Sequence, residues 1–265
     1  ELRMVDLEAQ ARFFRAQGHY EALMHYGETF DPQAGTQLGI PIRTTSDINV
    51  RTNRASVREC FDFILEDLEF AANHLREKQE IPTRPSRWAA EAMLGRVYLN
   101  MKDYPNALAH SSNALAIDGT LMDYKSLDSS LPYSFELFNP EVIFHQSLLF
   151  IGFEFDSEFI VNPELVASYD SADLRLTYFF SPNGIADQVK FRGKYTGDVY
   201  HVGGIATDEV WLNYAEAASR LGQESEALNA LNNLLKHRMD SGFVPLTELS
   251  GSDLLARIVL ERRKE

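Results

Sequence analysis

Basic side chains are scarce in this chain. Lys and Arg number 25 against 39 Asp and Glu, a formal net charge of −14 with a sequence pI near 4.9. A surface this acidic repels phosphate backbones, and the nearest thing to a basic patch is the mixed run Glu261-Arg262-Arg263-Lys264, so nucleic acid is excluded as a partner. Cysteine is reduced to Cys60, which rules out an intrachain disulfide. Cys60 lies within Val57-Arg58-Glu59-Cys60-Phe61-Asp62-Phe63-Ile64, whose apolar spacing is helical; it reads as a buried structural thiol with no cationic setting to activate it. Apolar runs of about eighteen residues, as a membrane helix requires, are missing too. So are the short signatures of acyl transfer, zinc proteolysis, P-loop phosphate binding and dinucleotide binding.

What the chain does hold is helical periodicity. The clearest stretch is Leu94-Gly95-x-x-Tyr98, followed by Tyr104, Ala107 and Ala114-Leu115. This is tetratricopeptide spacing: small residues recur where two helix backbones approach closely. Helices are expected at about Met4–Tyr26, Ala55–Leu75, Arg87–Met101, Tyr104–Ile117, Asp208–Leu221 and Glu224–His237, with a last one from near Ser252 capped by Ser252 or Asp253. Leu7, Ala11, Phe14, Gly18 and Leu23 mark the stripe expected to face inward on the first helix. On the second, Phe61, Ile64, Leu65, Leu68, Ala71 and Ala72 face inward, while Glu66, Asp67 and Glu69 stay wet. Three turns look alike, at Gly18-x-Tyr20, Lys102-x-Tyr104 and Gly222, at unequal intervals; the pairs are therefore interrupted rather than tandem. The chain opens directly on a helical pattern and closes inside an unfinished one, so both ends read as cuts through a longer protein.

The organisation expected is one domain over 1–265, with tetratricopeptide-like helices at 1–117 and 207–265 and an irregular insertion at 118–206. The insertion carries sixteen of the chain's thirty aromatic side chains. Glu141–Gln146 and Gln188–Phe191 read as strands, and a short helix at Asn162–Tyr169 starts with Pro163 at its first position. Most of these aromatics must fill a core, but Tyr133, Tyr195, Tyr200 and His201 sit in Gly/Ser/Asp-rich loops. They are the candidate ligand contacts, because sugar rings stack their C–H faces on aromatic planes. Glu154, Asp156 and Glu158 alternate with Phe153, Phe155 and Phe159. They read as a solvated strand face, with a glycosidase acid pair or a calcium site as alternatives. Glu21 and His25 are four apart but suit a solvated helix better than a metal, and Gly203-Gly204 reads as loop geometry; no catalytic residue, metal or cofactor is assigned.

Taken in order, these segments resemble the SusD/RagB family of Bacteroidetes surface proteins. Ala9-Gln10-Ala11-Arg12-Phe13-Phe14-Arg15-Ala16 through His25-Tyr26-Gly27, with Ile40-Pro41 after it, is similar to the family's early helix. Arg54-Ala55-Ser56-Val57 to Asp67-Leu68-Glu69-x-Ala71 is similar to its next, and Arg87-Trp88-Ala89-Ala90-Glu91-Ala92-Met93-Leu94 to the one that follows. Thr207-Asp208-Glu209-Val210-Trp211-Leu212-Asn213-Tyr214-Ala215-Glu216-Ala217, Ala227-x4-Asn232-x5-Arg238 and Ile258-x2-Glu261-Arg262-Arg263-Lys264-Glu265 follow its C-terminal hallmarks. The resemblance implies a mainly α, SusD-like α/α fold of tetratricopeptide-like helix pairs carrying an irregular, aromatic-rich α+β insertion. It implies a non-enzymatic outer-membrane lipoprotein of the cell surface that binds an oligosaccharide nutrient and passes it to a SusC-like TonB-dependent transporter. The family's lipidated N-terminal cysteine, early helices and the segment after the Glu-Arg-Arg helix are not matched, and no ligand residue carries over from the family. Two other readings stay open. One is a carbohydrate-active hydrolase using Glu154, Asp156 or Asp198; the other is a peptide-binding tetratricopeptide adaptor.

Overall fold

A computed structural model of the protein describes residues 2–33, 35–148 and 160–265, with side chains from residue 4 onward. Its contacts divide the chain into two compact units, residues 1–117 and 118–265.

The first unit holds α1 (Leu2–Tyr26), β1 (Leu38–Pro41), β2 (Arg54–Ser56), α2 (Val57–His74), α3 (Arg87–Asn100) and α4 (Tyr104–Ile117). Each helix packs on the next. The start of α2 is fixed by a reciprocal cap: the Ser56 side chain accepts from the Glu59 N–H, and the Glu59 carboxylate accepts from the Ser56 N–H at 2.8 Å. β1 and β2 form an antiparallel pair lying against α2 through Cys60, whose Sγ accepts from the Ile40 N–H at 3.4 Å. Burial raises the thiol's pKa, in keeping with a structural cysteine.

The inward face of α1 is not the one expected. Ala9, Phe13, Ala16, Tyr20 and Leu23 are buried, while Leu7 and Phe14 are exposed, as are Ala11 and Gly18. Both sets have helical spacing, because the neighbours Phe13 and Phe14 place one aromatic on each face. Charge on α2 decides between them. Asp67, expected in water, is 1 % exposed and receives Arg15 Nε and Nη2, each at 2.7 Å, with Arg12 Nη1 at 3.5 Å. A carboxylate buried this deeply requires cationic partners, so α1 must turn its arginine side toward α2. Gly18 lies inside α1 rather than at a turn. The other two look-alike positions do reverse the chain in left-handed conformation, Lys102 at φ 60° and Gly222 at φ 74°.

The α3/α4 pair explains its glycine. A Cβ on Gly95 would lie 2.6 Å from Ser111 Oγ, with the Ala107 carbonyl at 3.6 Å, so the small residues mark a close backbone approach.

The second unit opens with a short 3₁₀ turn at Tyr124–Ser126. It continues through β3 (Val142–Phe144), α5 (Pro163–Ala167), α6 (Arg175–Phe179), β4 (Phe180–Pro182), β5 (Val189–Phe191) and β6 (Ile205–Ala206). It ends in α7 (Thr207–Arg220), α8 (Glu224–Arg238) and α9 (Gly251–Lys264). β3 pairs antiparallel with β6, and β4 with β5, while α7 packs on both α8 and α9. The α9 cap position falls at Ser250, ahead of the two residues expected. Tyr124, Phe135, Tyr169, Tyr178, Phe179, Phe180 and Tyr195 form one buried cluster, with Phe135 and Tyr195 ring centroids 4.8 Å apart. Among the described residues between 118 and 206 the strands and helices are short, and bulky rings fill the volume that regular elements leave.

The two helical glycines make opposite predictions. Gly95→Leu should destabilise the protein by about 1–3 kcal/mol through overpacking. Gly18→Ala, whose new methyl meets nothing within 4 Å, should stabilise it by about 0.5–1 kcal/mol. Urea unfolding of both variants checks this, and the reverse order would contradict the packing described.

Candidate functional site

A buried ionic cluster organises the second unit. Arg238, the last residue of α8, is fully buried and grips Glu141 with two bonds, Nη1 to Oε1 at 3.0 Å and Nη2 to Oε2 at 3.1 Å. Its Nε donates to Glu265 Oε1 at 2.9 Å, and its guanidinium lies 4.1 Å from the Tyr124 ring centroid. Asp208, in the first turn of α7, lies 3.6 Å from Nη2. A second fully buried arginine, Arg175, pairs with Asp173 and Glu261 and reaches Glu265 Oε1 at 2.8 Å. Lys264, donating to Glu261 Oε1 at 3.1 Å, and Arg257, whose Nε lies 2.9 Å from the same oxygen, complete the group. The segment before β3 and helices α6 to α9 therefore meet through charge. Bidentate arginine–carboxylate pairs tolerate burial because nearly every donor and lone pair is matched.

The cluster polarises its titratable members. Burial raises the Asp208 carboxyl well above the usual carboxylate range, and the nearby Glu141 and Glu265 add to the effect. Burial likewise raises the Tyr195 phenol, whose hydroxyl donates to Glu141 Oε2 at 2.7 Å and lies 2.7 Å from the Tyr124 hydroxyl. Glu261 moves the other way: burial alone would raise it, but Arg175 and Lys264 together lower its pKa.

Beside this cluster lies a cavity of about 330 Å³ within residues 118–265. Phe179, Phe191 and His201 give it aromatic walls; His201 stacks on Phe191 with centroids 5.9 Å apart and planes 13° from parallel. Asp208, Glu209 and Glu265 line it with carboxylates, and Lys194 and Arg262 with cations. Two glycines let the walls close. A Cβ at Gly193 would run into the Phe179 ring, and one at Gly204 into the Phe144 carbonyl, which gives the Gly203-Gly204 pair its reason.

Of the four aromatic residues singled out in the sequence, the structure brings Tyr195 and His201 to this cavity. Tyr195 enters as a buried core residue, 6 % exposed, with its hydroxyl committed to the cluster. Tyr200, 42 % exposed, precedes His201 but is not part of the lining, and half-buried Tyr133 is also outside it. Glu154, Asp156 and Glu158 lie outside the described residues. Exposed Asp198 accepts from the Val199 N–H and is not a cavity residue. His25 places Nδ1 against the Glu21 backbone carbonyl at 2.8 Å, as a solvated helix residue would. Sequence reading passed over Phe191, Asp208, Glu209 and Glu265 as site residues. Their hallmark segments, Thr207-Asp208-Glu209 and Glu261 to Glu265, were visible, but only the fold shows that they line one cavity.

Residues 1–99 match a family model, SusD-like_3, described as "Starch-binding associating with outer membrane". The whole chain superposes on a SusD superfamily protein from Bacteroides thetaiotaomicron at TM-score 0.80 and 24% identity, covering 100% of this chain and 65% of that one. A putative sugar binding protein from Bacteroides vulgatus gives 0.78 at 23% identity, covering 99% and 63%. A SusD-like carbohydrate binding protein from the same species gives 0.79 at 21%, covering 100% and 61%. Over its full length the chain has the fold of these SusD-like structures, and residues 1–99 match the SusD-like family model. It spans about 65% of the length of that first structure. No curated protein sequence matches the chain.

Arg238→Met should destabilise the protein by about 3–5 kcal/mol, since Glu141 would be left buried without its partner. Asp208→Asn has a pH signature. A carboxyl whose pKa is raised on folding binds its proton more tightly in the native state, so its contribution is favourable at low pH and lost as pH rises through the native value. The stability of Asp208→Asn relative to the wild type should therefore increase from pH 4 to pH 8 in urea unfolding. A difference that stays flat or falls would contradict the assignment.

Proposed function

We propose that this protein binds oligosaccharide nutrients at the outer face of the outer membrane, without cleaving them, and delivers them to a SusC-like TonB-dependent transporter. The observation that carries the reading is the cavity in a SusD-like fold. Its aromatic walls, Phe179, Phe191 and His201, stand next to fixed polar groups, the combination that holds a sugar ring by its C–H face and its hydroxyls together. The family description for residues 1–99 and the sugar-binding names of two fold relatives support the ligand class and the membrane association.

Binding without cleavage is supported by what the carboxylates are doing. A glycosidase needs a proton donor and a second carboxylate facing each other across the scissile bond. Asp208 instead accepts from the Glu209 N–H and lies 3.3 Å from the Tyr195 hydroxyl, with Arg238 alongside, and Glu265 shares Oε1 between Arg175 and Arg238. Both are tied into the scaffold. The helix pairs α3/α4 and α7/α8 would each offer the transporter a protein surface.

Isothermal titration of the protein against an oligosaccharide panel, with a reducing-end assay on the same mixtures, tests this. The expected result is saturable binding with no new reducing ends. His201→Ala and Phe191→Ala should each weaken it about 5- to 10-fold. New reducing ends would point to a hydrolase, and tight peptide binding without sugar binding to an adaptor.

A further inference from the structure

Where the ionic cluster meets the cavity, its hydrogen atoms can be counted. The Tyr195 hydroxyl carries one hydrogen and two lone pairs. That hydrogen goes to Glu141 Oε2 at 2.7 Å, so the Tyr124 hydroxyl, also 2.7 Å away, is the donor to Tyr195. Asp208 Oδ2 lies 3.3 Å from the same Tyr195 oxygen, which has a lone pair left to offer and no hydrogen. An ionised Asp208 would set lone pairs against each other in that contact. A protonated Asp208 donates into it and completes it. The nearest cation does not take the place of the proton: Arg238 Nη2 is 3.6 Å from Oδ2, beyond hydrogen-bond distance, and donates to Glu141 Oε2 at 3.1 Å.

The charges of the cluster ask for the same proton. Its cations are the four side chains Arg175, Arg238, Arg257 and Lys264, and its acids the five side chains Asp173, Glu141, Glu261, Glu265 and Asp208. One bound proton makes the group neutral, and a buried group left with net charge is costly. Asp208 has the weakest hold on a cation. Asp173 lies 2.7 Å from Arg175, Glu141 3.0 Å from Arg238, and Glu265 within 2.9 Å of both arginines, while Glu261 has Arg175, Arg257 and Lys264. Burial and the nearby Glu141 and Glu265 raise the Asp208 pKa, as a held proton requires.

Glu141 and Tyr124 face Asp208 from ahead of β3, Tyr195 from the loop after β5, Arg238 from the end of α8 and Glu265 from the end of α9. Glu209 adjoins it on α7, and Lys194, His201 and Arg262 share the cavity lining with it.

We infer that Asp208 holds a proton in the lining of the cavity and that this proton couples oligosaccharide binding to pH, with affinity highest while Asp208 is neutral. The inference rests on the cavity being the sugar site proposed above and adds its regulation. Asp208 is 6 % exposed, and a sugar filling the cavity closes that access to water. Losing water penalises a carboxylate and spares a neutral acid. By linkage, the proton strengthens sugar binding by the factor by which the sugar tightens the proton. Because the proton is given to Tyr195, it is not poised over a glycosidic oxygen, in keeping with binding without cleavage.

Two measurements test this. Infrared spectroscopy of the ligand-free wild type, with carbon-13-labelled aspartate, should show at about pH 6 a protonated carboxyl band that is missing from Asp208→Asn. A wild type without that band overturns the inference, whether or not the variant folds. Isothermal titrations with three uncharged oligosaccharides, maltoheptaose, cellohexaose and mannohexaose, run from about pH 5 to about pH 9. The affinity of those that bind should fall as pH rises, by up to about tenfold per pH unit for one linked proton. Asp208→Asn, whose amide can still donate to Tyr195 but cannot ionise, should flatten that profile, with thermal melts reporting that it is folded. A profile that persists in the folded variant belongs to another group, such as His201, and overturns the coupling, as does a flat wild-type profile. Failure of all three oligosaccharides to bind at any pH overturns the sugar-site reading and the coupling together, while the infrared band still decides whether Asp208 holds the proton.

Discussion

The two-pronged contact between Arg238 and Glu141 is the constraint on which the second unit depends. A guanidinium and a carboxylate, both fully buried, are stable only if each of their hydrogen-bonding positions is met, and meeting them fixes much of the surrounding structure. Glu141 also accepts from the Met122 N–H and the Tyr195 hydroxyl, which anchors the segment before β3 and the loop after β5. Arg238 also takes the Met122 carbonyl, Glu265 and the face of Tyr124, which joins the end of α8 to α9 and to the aromatic core. A region poor in long regular elements thus obtains a defined fold from directional bonds at its centre and aromatic packing around them.

The same constraint shapes the cavity. Tyr195, Asp208 and Glu265 belong both to the ionic cluster and to the lining of the cavity. Groups held this way are preorganised: a ligand meets acceptors that need not be immobilised on binding. The aromatic side of the cavity is as firmly built, with Phe191 lying between Phe179 and His201 in the ring cluster. Aromatic faces and fixed carboxylates in one lining suit a ligand that has both apolar C–H faces and hydroxyl donors, which describes a sugar ring.

How much of this the sequence disclosed varies from element to element. Helices α2, α3, α4, α7 and α8 were legible to within a few residues, because long apolar periodicity and the Gly95/Ala107 and Gly222 small-residue positions report directly on local geometry. The face of α1 was not, since Phe13 and Phe14 supply two valid stripes and only the buried charge of Asp67, far away in sequence, selects one. The β1/β2 pair, α6 and β4 also escaped notice; they are three to five residues long and show too few periods for a pattern to register. For the site, aromatic enrichment pointed to the right region and to Tyr195 and His201. It could not show that Asp208 and Glu265, read as parts of helix hallmarks, converge on them across 57 residues of chain.

The central claim is that a sugar occupies the cavity between the Phe191/His201 stack and Glu265. A crystal structure of the protein with a bound oligosaccharide tests it most directly. The account predicts one sugar ring in this cavity, against the Phe191 and His201 rings. A sugar bound elsewhere, as in the groove lined by Glu77, Arg87, Glu91 and Asn113, with this cavity left without ligand, would contradict it.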